Sequence, residues 1–271
     1  MEKYCNNCGN YGHYYKQCKH PVLSYGVILI CKNENNMKIV MVERKDSISY
    51  IEFLRGKYSS IYNIDYLKLL FSRLTTKEKN NLLTKDFNEL WKQLWIHTET
   101  INKNIKKEYN SSLIKFNQLK KGFYIKDKFF NLEQLIKSVS TKYVMNEWEI
   151  PKGRRISKEN NKDCAIREFM EETNIKPEQY TLLKNITPIV EEYRGINNIP
   201  YKHVYYIGII NEEIELSINN ENKNQYTEVK DIKWLTKEES YKHIRDHDLH
   251  KKKIINKVFM FILNNKNYKI L

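Results

Sequence analysis

Glycine and proline are scarce, 8 and 5 in 271 residues, and no low-complexity linker or internal repeat interrupts the chain. Five cysteines in a chain this long do not make a disulfide scaffold, so a reducing, cytoplasmic setting is expected. No apolar run approaches the roughly 20 residues of a membrane span, and nothing resembles a signal peptide, so no membrane partner is expected. Acidic residues are outnumbered, 33 against 47 Lys and Arg, giving a net charge of +14. That imbalance favours a polyanionic partner. What is abundant is Lys, Asn, Ile and Tyr, with ample length for one large domain or two modest ones.

The densest chemistry lies in residues 153–175, GRRISKENNKDCAIREFMEETNI. Residues 162–173 lack Gly and Pro, and Asn160 or Asn161 can cap a helix there. Helical spacing puts Ala165, Ile166, Phe169 and Met170 on one apolar face. Glu168, Glu171 and Glu172 then fall at i, i+3 and i+4 on roughly the opposite face. Like charges on one stripe repel, and a hard divalent cation would neutralise them. Carboxylate oxygens are what Mg2+ or Mn2+ prefers. Glu159, in the loop before the helix, reaches toward the same ions. Gly153 suits a tight turn whose backbone approaches the site closely. Lys152, Arg154 and Arg155 beside it are candidates for neutralising phosphates. The segment fits G-x5-E-x7-R-E-U-x-E-E-x-G-U (U a bulky apolar residue) through Gly153, Glu159, Arg167, Glu168, Phe169, Glu171, Glu172 and Ile175. Only the late glycine departs, replaced by Asn174. Six such polar or Gly positions match by chance on the order of once in ten million starts. The pattern resembles the Nudix box, which implies metal-dependent cleavage of a diphosphate linked to another group.

A second cluster sits at the start. Cys5, Cys8, His13 and Cys18 read C-x2-C-x4-H-x4-C. Three thiolates and an imidazole make a closed tetrahedral Zn2+ site, able to fold some 20 residues that have no core of their own. Loss of zinc is therefore expected to unfold those residues alone. The spacing resembles the zinc knuckle of nucleocapsid-type proteins, which implies single-stranded nucleic acid as partner. Tyr14 stands where such knuckles carry a stacking aromatic, whereas Asn6 stands at the other usual aromatic position.

Tyr25–Cys31 and Lys38–Glu43 read as strands about a polar Lys-Asn-Glu-Asn-Asn turn. About 100 residues then precede the box, and they read as helical. Thr75 and Glu78 form a capping-box pattern, and Asp86 or Asn131 can start further helices. Leu90, Leu94, Trp91 and Trp95 repeat at helical spacing and read as core. Residues 50–146 carry 18 basic against 9 acidic side chains, residues 147–236 carry 13 against 16, and residues 237–271 carry 9 against 4. An acidic catalytic segment flanked by basic ones suits a long polyanion. Lys103, Lys106 and Lys107 are the candidate RNA contacts of the insertion. After the box, Val204–Ile210 and Asp231–Leu235 read as strands, and helices follow near Lys237 and from Lys251 to Asn264. His243, His247 and His250 read as one side of a helix, facing solvent or RNA.

RKDSISYIEFLRGKY (residues 44–58), the helical insertion and WEIPKGR before the box resemble the Nudix decapping enzymes of large DNA viruses, such as those of African swine fever virus and giant amoebal viruses. The resemblance spans about residues 21–265. It implies an α/β Nudix fold, a mixed sheet between helices, with a helical insertion and an added N-terminal knuckle. The boundaries expected are 1–20 for the knuckle, 21–47 and 143–271 for the two parts of the Nudix domain, and 48–142 for an RNA-binding insertion. It implies hydrolysis of the mRNA cap to 7-methyl-GDP and 5′-monophosphate RNA. As a viral host-shutoff activity this would act in the host cytoplasm, with packaging in the virion a further expectation. Glu168 and Glu172 are the catalytic candidates, Glu159, Glu168, Glu171 and Glu172 with the Gly153 backbone the metal ligands. Glu228 is an extra carboxylate of the kind Nudix enzymes supply from a loop outside the box. The alternatives are a Nudix hydrolase of diphosphoinositol or dinucleoside polyphosphates, and a non-catalytic RNA-binding protein.

Overall fold

The structure, a computed structural model, describes residues 2–33, 36–95, 103–156 and 158–264. The chain divides into two compact units, Met1–Glu43 with Trp148–Leu271, and Arg44–Glu147. Strands β1 (Val22–Asn33) and β2 (Asn36–Arg44) come first. The second unit holds α1 (Ile48–Leu54), α2 (Ile64–Ser72), α3 (Thr76–Thr84), α4 (Phe87–Leu94), α5 (Lys103–Lys121), β3 (Phe123–Ile125), β4 (Lys128–Phe130) and α6 (Leu132–Lys137). The first unit resumes with β5 (Trp148–Glu149), β6 (Lys152–Gly153), α7 (Asn161–Thr173), β7 (Thr181–Leu182), β8 (Ile189–Arg194) and β9 (Pro200–Ile210). It ends with α8 (Lys223–Glu228), β10 (Val229–Leu235), α9 (Lys237–His243) and α10 (Leu249–Asn264). Of the polar turn expected between β1 and β2, Glu34 and Asn35 lie outside the described residues.

The first unit is built on one mixed sheet in the order β10-β2-β1-β9-β7, with β5 on β2, β6 on β1 and β8 on β9. β1 and β9 run parallel, from Val22 opposite Tyr201 to Cys31 opposite Ile210. β1 reads Val27-Ile28-Leu29-Ile30-Cys31 without a polar break because both its faces are covered. Side chains alternate across a strand. Val27 and Leu29 join Val40, Val42, Cys164, Ala165 and Phe169 on the α7 side. Ile28 and Ile30 join Ile39, Met41, Tyr205, Ile254, Ile255, Val258 and Phe259 on the α10 side. Each such residue contributes about 1.5–3 kcal/mol by burial. The sheet between helices is the α/β architecture expected from the sequence.

The knuckle region stands on the edge of this unit. Gly12 donates its N–H to the Lys3 carbonyl at 2.7 Å, and Cys5 donates to Asn10 at 2.9 Å. The Asn7 side chain is buried. It donates to Pro21 O at 2.8 Å and to Cys18 Sγ at 3.2 Å, and accepts from Leu23 N–H at 2.9 Å. The fold of the knuckle is thereby joined to the start of β1.

In the second unit the expected caps form. Thr75 Oγ1 accepts from Glu78 N–H at 3.2 Å, and the Glu78 carboxylate accepts from Thr75 N–H at 2.8 Å. Asp86 and Asn131 cap α4 and α6. Leu90 and Trp91 are buried, and Trp91 packs on Phe87, Tyr109 and Trp95. The segment is not wholly helical as expected: β3 and β4 form a hairpin, turned by Lys126 at φ 52°. Its Phe123, Tyr124, Phe129 and Phe130 favour strands, and Gly122 ends the helix before it.

Two further differences concern the first unit. The buried stripe of α7 is Cys164, Ala165, Phe169 and Thr173, whereas Met170 is 38% exposed. The helix is rotated relative to its apolar periodicity, which carries Glu172 into the interior at 6% exposure. The three histidines do not share a helix side. The chain leaves helical geometry between α9 and α10, His243 packs edge-on against Trp148, and His250 stacks on Tyr193 at 3.9 Å.

The missing late glycine has a local explanation. Asn174 follows α7 at φ 59°, ψ 14°, and its N–H donates to Met170 O at 2.8 Å. Asn is the residue that best tolerates this left-handed position after Gly. Asn174→Gly is expected to leave urea stability within about 0.5 kcal/mol, whereas Asn174→Val should cost about 1–2 kcal/mol.

Candidate active site

The site is assembled by β6, the loop that follows it and α7. Asn160 caps α7 by accepting from Asp163 N–H at 2.9 Å. β6 pairs with β1 through Lys152 opposite Gly26 and Gly153 opposite Tyr25, which fixes the loop's origin on the sheet. Glu172 Oε2 accepts from Lys152 N–H at 3.1 Å. A Cβ placed on Gly153 would lie 1.9 Å from Glu168 Oε2 and 2.1 Å from its Cδ. Glycine is therefore what lets the Glu168 carboxylate sit against the backbone.

Arg167 holds the carboxylates. Its Nε and Nη2 donate to Glu159 Oε1 and Oε2 at 2.7 and 2.9 Å, a bidentate pair. Nη2 lies 2.9 Å from Glu168 Oε1, and Nη1 lies 3.2 Å from Glu171 Oε2. Nη2 also donates to the Arg154 carbonyl at 3.0 Å. Burial opposes the charge on Glu159, but the Arg167 hydrogen bonds outweigh it and hold that carboxyl below its usual range. Glu168 goes the other way. Burial, reinforced by the charges of Glu171 and Glu228, pushes it up to about 7 despite Arg167. α8 adjoins the end of α7, where Asn222 Nδ2 donates to Glu171 O and Gln225 Nε2 to Glu172 O, both at 3.2 Å. Glu228 ends this helix rather than lying in a loop, and its side chain is exposed.

The donor set fits a divalent cation. Glu159, Glu168 and Glu171 bring three carboxylates to Arg167, Glu172 accepts from the Lys152 backbone, and Glu228 ends α8. Burial and the neighbouring acidic charges raise the proton affinity of Glu168, so added positive charge beside it would be favoured. All-oxygen ligands suit a hard ion. The carboxylates are spread around Arg167. Among the described residues, the group whose ligand atoms all lie within 4.8 Å of one another is Cys5, Cys8, His13 and Cys18. Cys8 Sγ and His13 Nε2 are 3.4 Å apart. Burial raises Cys18, but hydrogen bonds from Asn7 and His13 carry it down to about 6, toward the thiolate that ligates metal.

The three basic side chains expected at phosphates are not gathered together. Arg154 is exposed, with its guanidinium 5.9 Å from the Tyr15 ring centroid. Lys152 Nζ pairs with Glu149 at 2.8 Å, both nearly buried. Arg155 donates to the Asn7 carbonyl and lies over the Tyr25 ring. Lys103, Lys106 and Lys107 are exposed on α5. Cys31 and Cys164 are buried thiols, and burial pushes Cys164 up to about 12.

Sequence reasoning passed over a polar network inside the first unit. Glu191 Oε2 accepts from Tyr205 OH at 3.0 Å and lies 2.7 Å from His203 Nδ1. Glu149, Lys152, Glu191, Tyr205 and Lys251 line a small cavity between sheet and α10. The available signal was Tyr201, His203 and Tyr205 at alternate positions of β9, all on one face.

Residues 133–258 match the NUDIX domain. This chain carries a Nudix domain. Nudix enzymes need divalent metal ions. An Acanthamoeba polyphaga mimivirus protein named "Putative mRNA-decapping protein" is 29% identical, over 96% of this chain and 94% of that protein. The "mRNA-decapping protein g5R" of African swine fever virus (isolate Pig/Kenya/KEN-50/1950) is 29% identical, over 91% of this chain and 98% of that one. Among solved structures, a C. elegans Ap4A hydrolase matches at 12% identity and a TM-score of 0.44, over 89% of this chain and 98% of that chain. Among the described residues, no helix is long and apolar enough to cross a membrane.

Glu168 gives the site a pH signature. Its carboxyl holds a proton more tightly in the fold than in an unfolded chain, about 7 against 4.5. The stability this confers is complete in acid and is lost as pH rises through 7. Metal-free Glu168→Gln should therefore match wild type near pH 4 and exceed it by on the order of 2 kcal/mol at pH 8, read by urea denaturation. Turnover of the same variant with Mg2+ or Mn2+ should fall by several orders of magnitude.

Proposed function

We propose that this protein removes the 5′ cap of mRNA, releasing 7-methyl-GDP and leaving 5′-monophosphate RNA. The observation that carries this reading is the Glu168 carboxylate, lodged against Gly153 and raised to about 7, within a carboxylate array on a chain matched along nearly its full length by proteins named for decapping. Mg2+ or Mn2+, when bound, polarises the phosphate oxygens and activates water. Glu159, Glu168, Glu171 and Glu172 with the Gly153 backbone would hold it. Glu168, with Glu228 assisting, accepts the proton of the attacking water. The water oxygen bonds to a cap phosphorus, the bridging P–O bond breaks, and 7-methyl-GDP leaves. Arg154 neutralises phosphate charge. Cys5, Cys8, His13 and Cys18 hold Zn2+.

The exposed Lys103, Lys106 and Lys107, in a segment with twice as many basic as acidic residues, support a role for residues 48–142 in binding the RNA chain. The viral relatives named for decapping support action in the host cytoplasm.

Cap-labelled RNA, free cap analogue and an inositol pyrophosphate, assayed side by side, test the reading. Labelled 7-methyl-GDP should appear from capped RNA much faster than from the analogue, and uncapped RNA should inhibit. Equal rates without inhibition would move the assignment to small diphosphates, and no metal-dependent turnover at all would leave a binding protein. Neutralising Lys103, Lys106 and Lys107 together should reduce the slope of log affinity against log salt by about 2, given about 0.7 per phosphate contact on single strands. The single-turnover rate at saturating RNA should change little.

A further inference from the structure

The Arg155 side chain joins the knuckle to the catalytic loop, beside the looser approach of the Arg154 guanidinium to the Tyr15 ring. Arg155 lies two residues after Gly153 and four before Glu159. Its Nη2 donates to the Asn7 carbonyl, and its guanidinium lies 5.4 Å from the Tyr25 ring centroid. The fit against the knuckle is close. A Cβ on Gly9 would fall 2.4 Å from Arg155 Nη1, and Gly9 itself sits at φ 79°. Asn7 and Gly9 flank Cys8, so both contact points lie between Cys5 and His13. Asn7 also bonds Cys18 Sγ and the chain at Pro21 and Leu23, which makes the metal-binding turn continuous with β1.

The loop that receives this contact has little regular structure of its own. Arg167 ties down the Arg154 carbonyl, Glu159 accepts from Ile156 N–H at 3.2 Å, and Lys158 stands at φ 62°. Arg154 is thus held from the α7 side and Arg155 from the knuckle side. The sequence offered Arg155 as a phosphate ligand and the knuckle as a self-contained RNA module, but the geometry gives both another task. We infer that the zinc knuckle is a strut for the Nudix loop: with metal bound, the Asn7–Gly9 turn clamps Arg155 and so positions Gly153 and Glu159 for the catalytic cation. Arg155 is a positioning residue, since its Nη2 donates to the Asn7 carbonyl and its guanidinium lies over the Tyr25 ring.

This rests on the zinc and Nudix readings above, and its test separates it from them. Zinc is stripped from the full-length protein with a zinc-selective chelator, and Arg155→Ala is prepared with zinc retained. Zinc content, amide hydrogen exchange of residues 153–160 and turnover against Mn2+ concentration are measured for each. Zinc-free wild type should exchange faster across 153–160 while β1 and β9 stay protected. It should need about 10–100-fold more Mn2+ for half-maximal turnover, the usual cost of losing an outer contact to a metal site. Zinc-loaded Arg155→Ala should reproduce both changes, and stripping its zinc should add little. Unchanged exchange and Mn2+ dependence in zinc-free wild type would overturn the strut. So would a normal Arg155→Ala beside an impaired zinc-free protein, since the coupling would then bypass this side chain. Hydrogen exchange needs no substrate, so it tests the strut even if the substrate is not capped RNA.

Discussion

The candidate site depends on one guanidinium holding several like charges at close quarters. Arg167 touches Glu159, Glu168 and Glu171, and the Arg154 carbonyl besides. Charge-assisted hydrogen bonds of this kind are roughly twice as strong as neutral ones, and a planar fork can serve several acceptors at once. One positive charge cannot satisfy three carboxylates, and the shortfall is expressed at Glu168. That residue is the one whose proton affinity rises, because burial and its acidic neighbours outweigh the arginine. The same shortfall that destabilises the metal-free carboxylate makes the region receptive to a divalent ion.

This arrangement requires the loop and helix to be presented on a rigid platform. β1 provides it, buried on both faces and paired with β2, β6 and β9. Lys152 and Gly153 belong to the sheet, so the backbone that faces Glu168 and Glu172 is anchored by ladder hydrogen bonds. Alternation across β6 sends the Lys152 ammonium to the α10 side, where Glu149 receives it. Gly153, on the α7 side, leaves space for a carboxylate. A side chain that reads as a phosphate ligand in the sequence is drawn into an ion pair by strand geometry alone.

The two candidate metal-binding regions of the first unit differ in chemistry and in construction. The knuckle gathers soft sulfur donors and one imidazole from residues a few positions apart, and their atoms already lie within ligand distance of one another. The box gathers hard oxygen donors from a loop and a helix face around an arginine.

The sequence by itself determined what local spacing controls. The capping of α7 by Asn160, the Thr75–Glu78 box, the adjacency of Glu168, Glu171 and Glu172, and the Cys5–Cys18 tetrad all follow from intervals of a few residues, so fixed helix and turn geometry makes them legible. The mixed sheet between helices followed from the resemblance of residues 153–175 to the Nudix box and of the flanking segments to the viral decapping enzymes. Tertiary structure alone decided the rotation of α7, which buries Glu172 and exposes Met170. It alone placed Glu191 beside His203 and Tyr205, set His243 on Trp148, and turned Arg155 to the knuckle. Each of these pairs residues far apart in the chain, and which partner a side chain meets then depends on strand register and helix docking. No interval in the sequence encodes that.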